Sequence, residues 1–219
     1  MIIEKTIKIG GSMDAFDDKA KTWDDDPVKV ERAQILAKKI SLFIDGKAPQ
    51  KGFEFGCGTG LLSFYLKDFF KEIILADTSK GMLKVLKEKM EINGIKHFKP
   101  LLLSEENPHH IDGIDFIYSS MTLHHVHDLD EVFERFYQML RSKGYLCIAD
   151  LEEEEGDFHG QADSQNVHHF GFERQRLVHQ LEENGFACIH YEIFYEINKK
   201  IENGSFKKFP LFLLIAQKI

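Results

Sequence analysis

Residues 53–60 read Phe-Glu-Phe-Gly-Cys-Gly-Thr-Gly, an acid and three alternate glycines at the end of a short apolar run. Glycine has no Cβ and enters positive φ without strain. Such a run therefore turns a strand sharply into a helix and lets the helix-start amides approach a ligand. Asp77 stands 17 residues beyond Gly60, closing a second apolar run in Ala76-Asp77-Thr78-Ser79. An ionised carboxylate only accepts hydrogen bonds, and the vicinal diol of a ribose offers two donors. Glycine turn and acid together thus describe a nucleoside-binding edge. Ser79 suits a different task, capping the helix that carries Met82 and Leu86.

A second set of chemical groups lies downstream. Eleven histidines include His124, His125 and His127 after one apolar run, His159 after the next, and His168 and His169 before a later helix. Imidazole titrates near pH 6.5 and serves as a general base at neutral pH, so His124, His127 and His159 are the catalytic candidates. Histidines beside Asp128, Asp150 and Glu152 to Glu155 also raise the question of a metal, but the spacings match no defined metal motif and none is expected. Asp150 and Glu152, directly after a strand, are placed to hold a cationic or hydroxylated substrate.

The elements that must carry these residues follow from periodicity. After Pro27, apolar residues Val28, Ala33, Ile35, Leu36, Ile40 and Phe43 repeat at helical spacing up to Asp45-Gly46. Strand and helix signals then alternate: a strand to Phe55, a helix from Leu61, strand 72–76, helix 79–92, a strand near 98–103 and strand 115–119. A helix over about 129–140, strand 145–149 and a helix near 173–183 continue the series. Alternation of this kind means a doubly wound, mostly parallel α/β sheet covered on both faces. Residues 188–198 and 209–217 are β-rich and flank Asn203-Gly204, a reversal signal, so an antiparallel hairpin should close the seven-stranded sheet. In such sheets ligands bind beyond the carboxyl ends of the strands, where the glycine turn, Asp77 and the histidines all fall.

Composition bounds the partners. The 219 residues, 43% hydrophobic and 29% charged, suit one domain, and a formal charge of −8 argues against a nucleic-acid-binding surface. No apolar stretch reaches the roughly 18 residues of a spanning helix. The start MIIEKTIKIGG lacks a signal-peptide core, so a cytoplasmic location is expected. Cys57, Cys147 and Cys188 are too scattered for a disulfide framework and are read as reduced thiols.

FEFGCGTG, then ILADTS with Met82, DFIYSSMTLHHVHD and YLCIADL together resemble the class I S-adenosylmethionine-dependent methyltransferases, over roughly residues 50–219. Phe16-Asp17 and Trp23-Asp24, with IADLEEEEGDFHG and VHHFGFERQRL, are similar to a group of small bacterial members. The resemblance implies S-adenosylmethionine as cofactor and a Rossmann-like fold with seven strands. It puts Gly56, Gly58 and Gly60 around the methionine portion, with Cys57 and Thr59 lining it by backbone, and Glu54 as the acid that organises the loop and the amino group. Asp77 matches the ribose acid, Thr78 and Met82 flank the adenosine, and Ser119 lies near the reactive end. The family's adenine-binding acid is replaced by Leu101-Leu102-Leu103-Ser104, leaving Ser104 or Glu105 in its place.

The expected function is methyl transfer to a small-molecule acceptor. The domain expectation is a single unit over 1–219, with a lid and leading helix in 1–45 and a cofactor-binding core in 46–219. A long connection at 152–170 is read as a second lid, with Phe158 or Phe170 lining an apolar acceptor pocket. Two alternatives stand beside this reading: a non-catalytic protein that binds S-adenosylmethionine or S-adenosylhomocysteine, and a nicotinamide-dependent oxidoreductase. The second is disfavoured because the last glycine of Gly-x-Gly-x-x-Gly would fall on Leu61.

Overall fold

The computed structural model describes residues 13–104, 111–160 and 166–219. Its strands are β1 (Lys51–Phe55), β2 (Glu72–Asp77), β3 (Phe98–Leu102), β4 (Ile114–Ser120), β5 (Leu140–Leu151), β6 (Phe186–Lys200) and β7 (Phe206–Lys218). The helices are α1 (Met13–Lys19), α2 (Pro27–Ile44), α3 (Leu61–Leu66), α4 (Lys80–Ile92), α5 (Leu129–Met139) and α6 (Arg174–Glu183). The sheet order is β3-β2-β1-β4-β5-β7-β6, with β1 to β5 parallel and β7 antiparallel to both its neighbours. The chain winds outward from β1 through β2 to β3 and then crosses to β4 on the other side. The crevice of such a sheet therefore opens between the carboxyl ends of β1 and β4.

Period-two alternation sorts the strand side chains onto two apolar layers. On one face Leu36 and Ile40 of α2, Leu62 and Leu66 of α3, and Leu83 and Leu86 of α4 pack on Leu75, Phe116, Tyr118 and Cys147. On the other, Val132, Phe133 and Phe136 of α5 and Leu177 and Leu181 of α6 pack on Phe53, Phe55, Ile117, Ile148 and Phe212. Each fully buried Leu or Phe contributes about 1.5–3 kcal/mol of transfer free energy. Burial on both faces fixes the register that presents the loops at one sheet edge. Asp115 sets the entry to β1: its buried carboxylate accepts from the amides of Gln50 and Lys51, both at 2.7 Å, and pairs with Arg141 at 2.5 Å.

The expected α/β class and closing hairpin are observed, and three elements are longer than their apolar runs. Pairing in the hairpin extends from Phe186 opposite Lys218 to Lys200 opposite Phe206, because the polar ends continue the ladder after their apolar alternation stops. β5 likewise begins at Leu140 rather than at Tyr145, passing an irregular register between Ile114 and Phe116. The connection after β5 doubles back on itself, with Glu153 N donating to Phe172 O at 3.2 Å and Glu154 N to Phe170 O at 2.8 Å. Gly171, at φ +73°, makes this return possible, since a Cβ there would stand 2.0 Å from the Glu152 carbonyl oxygen. Among the described residues no helix is long and apolar enough to cross a membrane.

Candidate functional site

The glycine turn leaves β1 with Gly56, Gly58 and Gly60 all at positive φ, +71°, +53° and +76°. The amides of Gly56 and Cys57 both donate to Ala76 O, at 2.9 and 3.0 Å, which ties the loop to the end of β2. Two of the glycines are required by packing. A Cβ on Gly56 would lie 2.2 Å from Thr122 Cγ2, and one on Gly60 would lie 2.7 Å from Leu86 Cδ1. Gly58 differs: a Cβ there would meet Met82 Sδ and Trp23 Nε1 at ordinary van der Waals distance, both 3.8 Å, so its positive φ rather than packing calls for glycine. Cys57 is buried and its thiol points back to Gly58 O, while burial pushes its pKa well above the ordinary thiol value.

Glu54 sits beneath the loop. Alternation turns it away from Phe53 and Phe55 and toward α3, where its carboxylate accepts from Ser63 Oγ, itself 2.6 Å from Tyr118 OH. Burial raises its pKa to about 8, against the opposing Ser63 bond and with the help of the Asp77 charge. Asp77, at the end of β2, accepts from Gly58 N at 2.7 Å and Ser79 N at 2.8 Å. Burial lifts its pKa, while the amides of Ser79, Gly58 and Thr78 favour the ionised form. These bonds take part of a carboxylate's acceptor capacity, about four positions, and the remainder is what a vicinal diol needs. Ser79 caps α4 as expected, accepting from Met82 N at 3.0 Å, and Met82 is buried under the loop.

The amino-terminal segment closes over this edge. Asp17 accepts from Gly81 N at 2.8 Å and from Ser79 Oγ, and Phe16 packs edge-on against His125 with centroids 5.6 Å apart. In the 3-10 turn that follows α1, Asp24 accepts from Thr59 Oγ1 at 2.6 Å and Lys89 Nζ at 2.5 Å. The Thr59 side chain thus faces the segment.

Two further candidates are occupied within the sheet or at its margin. Ser119 is buried and donates to Phe55 O at 3.0 Å, joining β4 to β1. Ser104 follows β3 at the edge of the described region, while Leu103 N bonds Asp77 O at 2.9 Å, and Glu105 lies outside the described residues. Thr122 was not singled out from the sequence. It fills the place of a Gly56 side chain, a contact between distant positions that no local pattern signals.

Beyond β4 the chain turns at Met121, φ +54°, into the 3-10 turn Leu123–His125. His124 is 1% exposed and its Nδ1 lies 2.6 Å from Asp150 Oδ1; the same carboxylate accepts from Leu123 N and Leu151 N. Burial would raise the Asp150 pKa, yet His124 and the Leu151 amide hold it below the ordinary carboxylate value. His125 donates Nδ1–H to Asn166 O at 2.6 Å, and burial pushes its pKa down to about 4, so it is neutral at physiological pH. His159 lies 5.0 and 5.4 Å, centroid to centroid, from these two rings. Fold geometry therefore joins His124, His125 and His159. His127, by contrast, is exposed and lies against His168 at 5.2 Å. His169 donates Nε2–H to Val126 O at 2.9 Å and, with His168, gives its backbone amide to His124 O. Phe158 packs on Phe209 at 5.1 Å and beside His159, whereas Phe170 is about half exposed.

A family model described as a methyltransferase domain matches residues 29–191, from the start of α2 into β6. The chain belongs to this family. This methyltransferase-family chain is 31% identical over 142 residues to an uncharacterized methyltransferase of Schizosaccharomyces pombe, covering 57% of this chain and 49% of that protein. It is 30% identical over 116 residues to phosphoethanolamine N-methyltransferase 3 of Arabidopsis thaliana, covering 52% of this chain and 23% of that one. The chain thus spans half or less of the length of these relatives. The crystal structure of a SAM-dependent methyltransferase from Aquifex aeolicus superposes with a TM-score of 0.65 at 19% identity, over 93% of this chain and 98% of that one, which establishes the shared fold.

Proposed function

We propose that this methyltransferase domain binds S-adenosylmethionine across the carboxyl ends of β1 and β2 and methylates a small-molecule acceptor entering from the histidine side. The observation that carries the reading is the placement of the partly satisfied Asp77 carboxylate against the Gly58 amide of the glycine turn, at the carboxyl ends of the strands. When bound, the cofactor supplies an electrophilic methyl on a sulfonium, which an acceptor lone pair displaces in line to leave the thioether S-adenosylhomocysteine.

The residues present fit such a group. Asp77 would hold the ribose diol; Gly58 and the backbone of Cys57 and Thr59 would admit the methionine portion. Met82 and Thr78 would border the adenosine, with Ser104 near the adenine. Gly56 and Gly60 shape the loop, Glu54 supports it from below, and Ser119 fixes β4 against β1 near the reactive end. Trp23 and Asp24 would close over the cofactor and exclude water, which suits a reactive sulfonium. On the acceptor side, the imidazoles of His124 and His159 are the groups that would orient or activate the nucleophile, with His127 a more exposed candidate. A small acceptor agrees with the acidic net charge and, by analogy, with the Arabidopsis relative's phosphoethanolamine.

Calorimetric titration with S-adenosylmethionine, S-adenosylhomocysteine and NAD tests the reading. The two sulfur nucleosides should bind and NAD should not, and Asp77→Ala should weaken binding by roughly 1.5–3 kcal/mol, the scale of hydrogen bonds to a charged group. Unchanged affinity in that variant would remove Asp77 from the ribose site. The binding-only reading is favoured by one observation, the absence of an acid at 101–104, and turnover assays over small amines, thiols and phenols separate it from catalysis.

A further inference from the structure

Histidines 124 and 125 are adjacent in sequence, and neighbours on a helical turn ordinarily point apart. Here their ring centroids are 4.1 Å apart, because Asp150 anchors one imidazole and Asn166 O anchors the other. Both anchors fix a tautomer. Asp150 uses its oxygens as acceptors toward Leu123 N and Leu151 N and so receives Nδ1–H from His124. A backbone carbonyl has no proton to give, so His125 also donates from Nδ1. In its neutral form each ring then carries its lone pair on Nε2. His159 brings a third imidazole from the connection after β5, and one ligand nitrogen from each residue lies within 4.8 Å of the others.

We infer that His124, His125 and His159 form a binding site for a divalent transition-metal ion of the zinc class. Neutral imidazole nitrogens are its preferred donors, and a carboxylate or carbonyl on the other ring nitrogen is the usual support that orients a metal-binding histidine. Asp150 and Asn166 O occupy those supporting places. Ligand nitrogens in a tetrahedral site with bonds of about 2.1 Å stand roughly 3.4 Å apart, so binding draws the rings inward. His159, on the connection rather than on the anchored turn, makes most of that movement. Three protein ligands leave a fourth position for water or an acceptor heteroatom, as in catalytic rather than structural zinc sites. The sequence hides this site because the three histidines match no spacing motif; β5 and its returning connection bring residue 159 back to the end of β4. The site stands on its own geometry and does not depend on methyl transfer.

The test uses the full chain, stripped with chelator and titrated with Zn²⁺ and Co²⁺. The site predicts one Zn²⁺ per chain and the visible absorption of four-coordinate Co²⁺. His159→Ala should weaken zinc binding at least tenfold, His159→Cys should restore it, and His179→Ala, an exposed control on α6, should leave it unchanged. Absence of zinc binding, or equal affinity in wild type, His159→Ala and His125→Ala, overturns the proposal. S-adenosylhomocysteine titrations on the same preparations report separately: retained binding shows that the variants are folded. Failure of the wild type to bind it counts against the methyl-transfer reading and leaves the metal result standing.

Discussion

Glu54 shows how one position can be legible in kind and hidden in state. The sequence marks it as the acid before the glycine turn, and alternation along β1 places it opposite Phe53 and Phe55. What the pattern lacks is the depth of its surroundings: among Ser63 and Tyr118 its pKa rises to about 8 from an ordinary 4.5, chiefly through burial. The folded state therefore holds a proton that the unfolded chain releases. Its stabilising contribution is complete below about pH 4.5, declines as pH rises, and is lost by about pH 8. Within that window each pH unit removes up to about 1.4 kcal/mol. Glu54→Gln keeps a polar group of the same shape without the titration. The melting temperature of this variant should gain on wild type as pH goes from 5 to 8, and a constant difference across the series would show that Glu54 is ionised in the fold. Asp77 and His125 were likewise legible as types, while their partners, Gly58 N and Asn166 O, are tertiary contacts.

Elements with strong apolar runs were readable in their bounds, and those docked by polar side chains only in outline. β1, β2, β4 and the start of α3 fall within a residue or two of their expected bounds because each is buried on a face that dictates periodicity. The amino-terminal segment has only Ala20 buried among its described side chains, so nothing periodic announces where it lies. Its position is set by Asp17 on Gly81, Asp24 on Thr59 and Lys89, and Phe16 on His125. Partly exposed ion pairs such as Asp24–Lys89 contribute about 0–1 kcal/mol each, so these contacts add little to the stability of the sheet. Removing residues 1–25, which keeps the Asp26 cap of α2, should lower the melting temperature little while weakening S-adenosylhomocysteine binding at least tenfold. Calorimetry showing equal affinity with and without the segment would mean that it does not cover the cofactor.

At the scale of the whole molecule, the doubly wound sheet makes one edge the meeting place of residues far apart in sequence. Gly58 and Asp77 come from β1 and β2, His124 from the end of β4, Asp150 from β5 and Trp23 from the amino-terminal segment. Sequence reading placed the glycine turn, Asp77 and the histidines at this edge through the strand-end rule, but the close grouping of His124, His125 and His159 depends on the returning connection pinned at Gly171. A ligand seated there would touch several elements that separate on unfolding, so it should bind the folded state alone. At a hundred times its dissociation constant such a ligand stabilises by about 2.7 kcal/mol. For chains of 150–250 residues each kcal/mol raises the melting temperature by about 2–4 °C, giving an expected shift of roughly 5–10 °C. Saturating S-adenosylhomocysteine should produce that shift in a thermal scan and NAD should produce none. The shift should shrink in Asp77→Ala measured at the same ligand concentration, because the same stabilisation then requires a proportionately higher concentration.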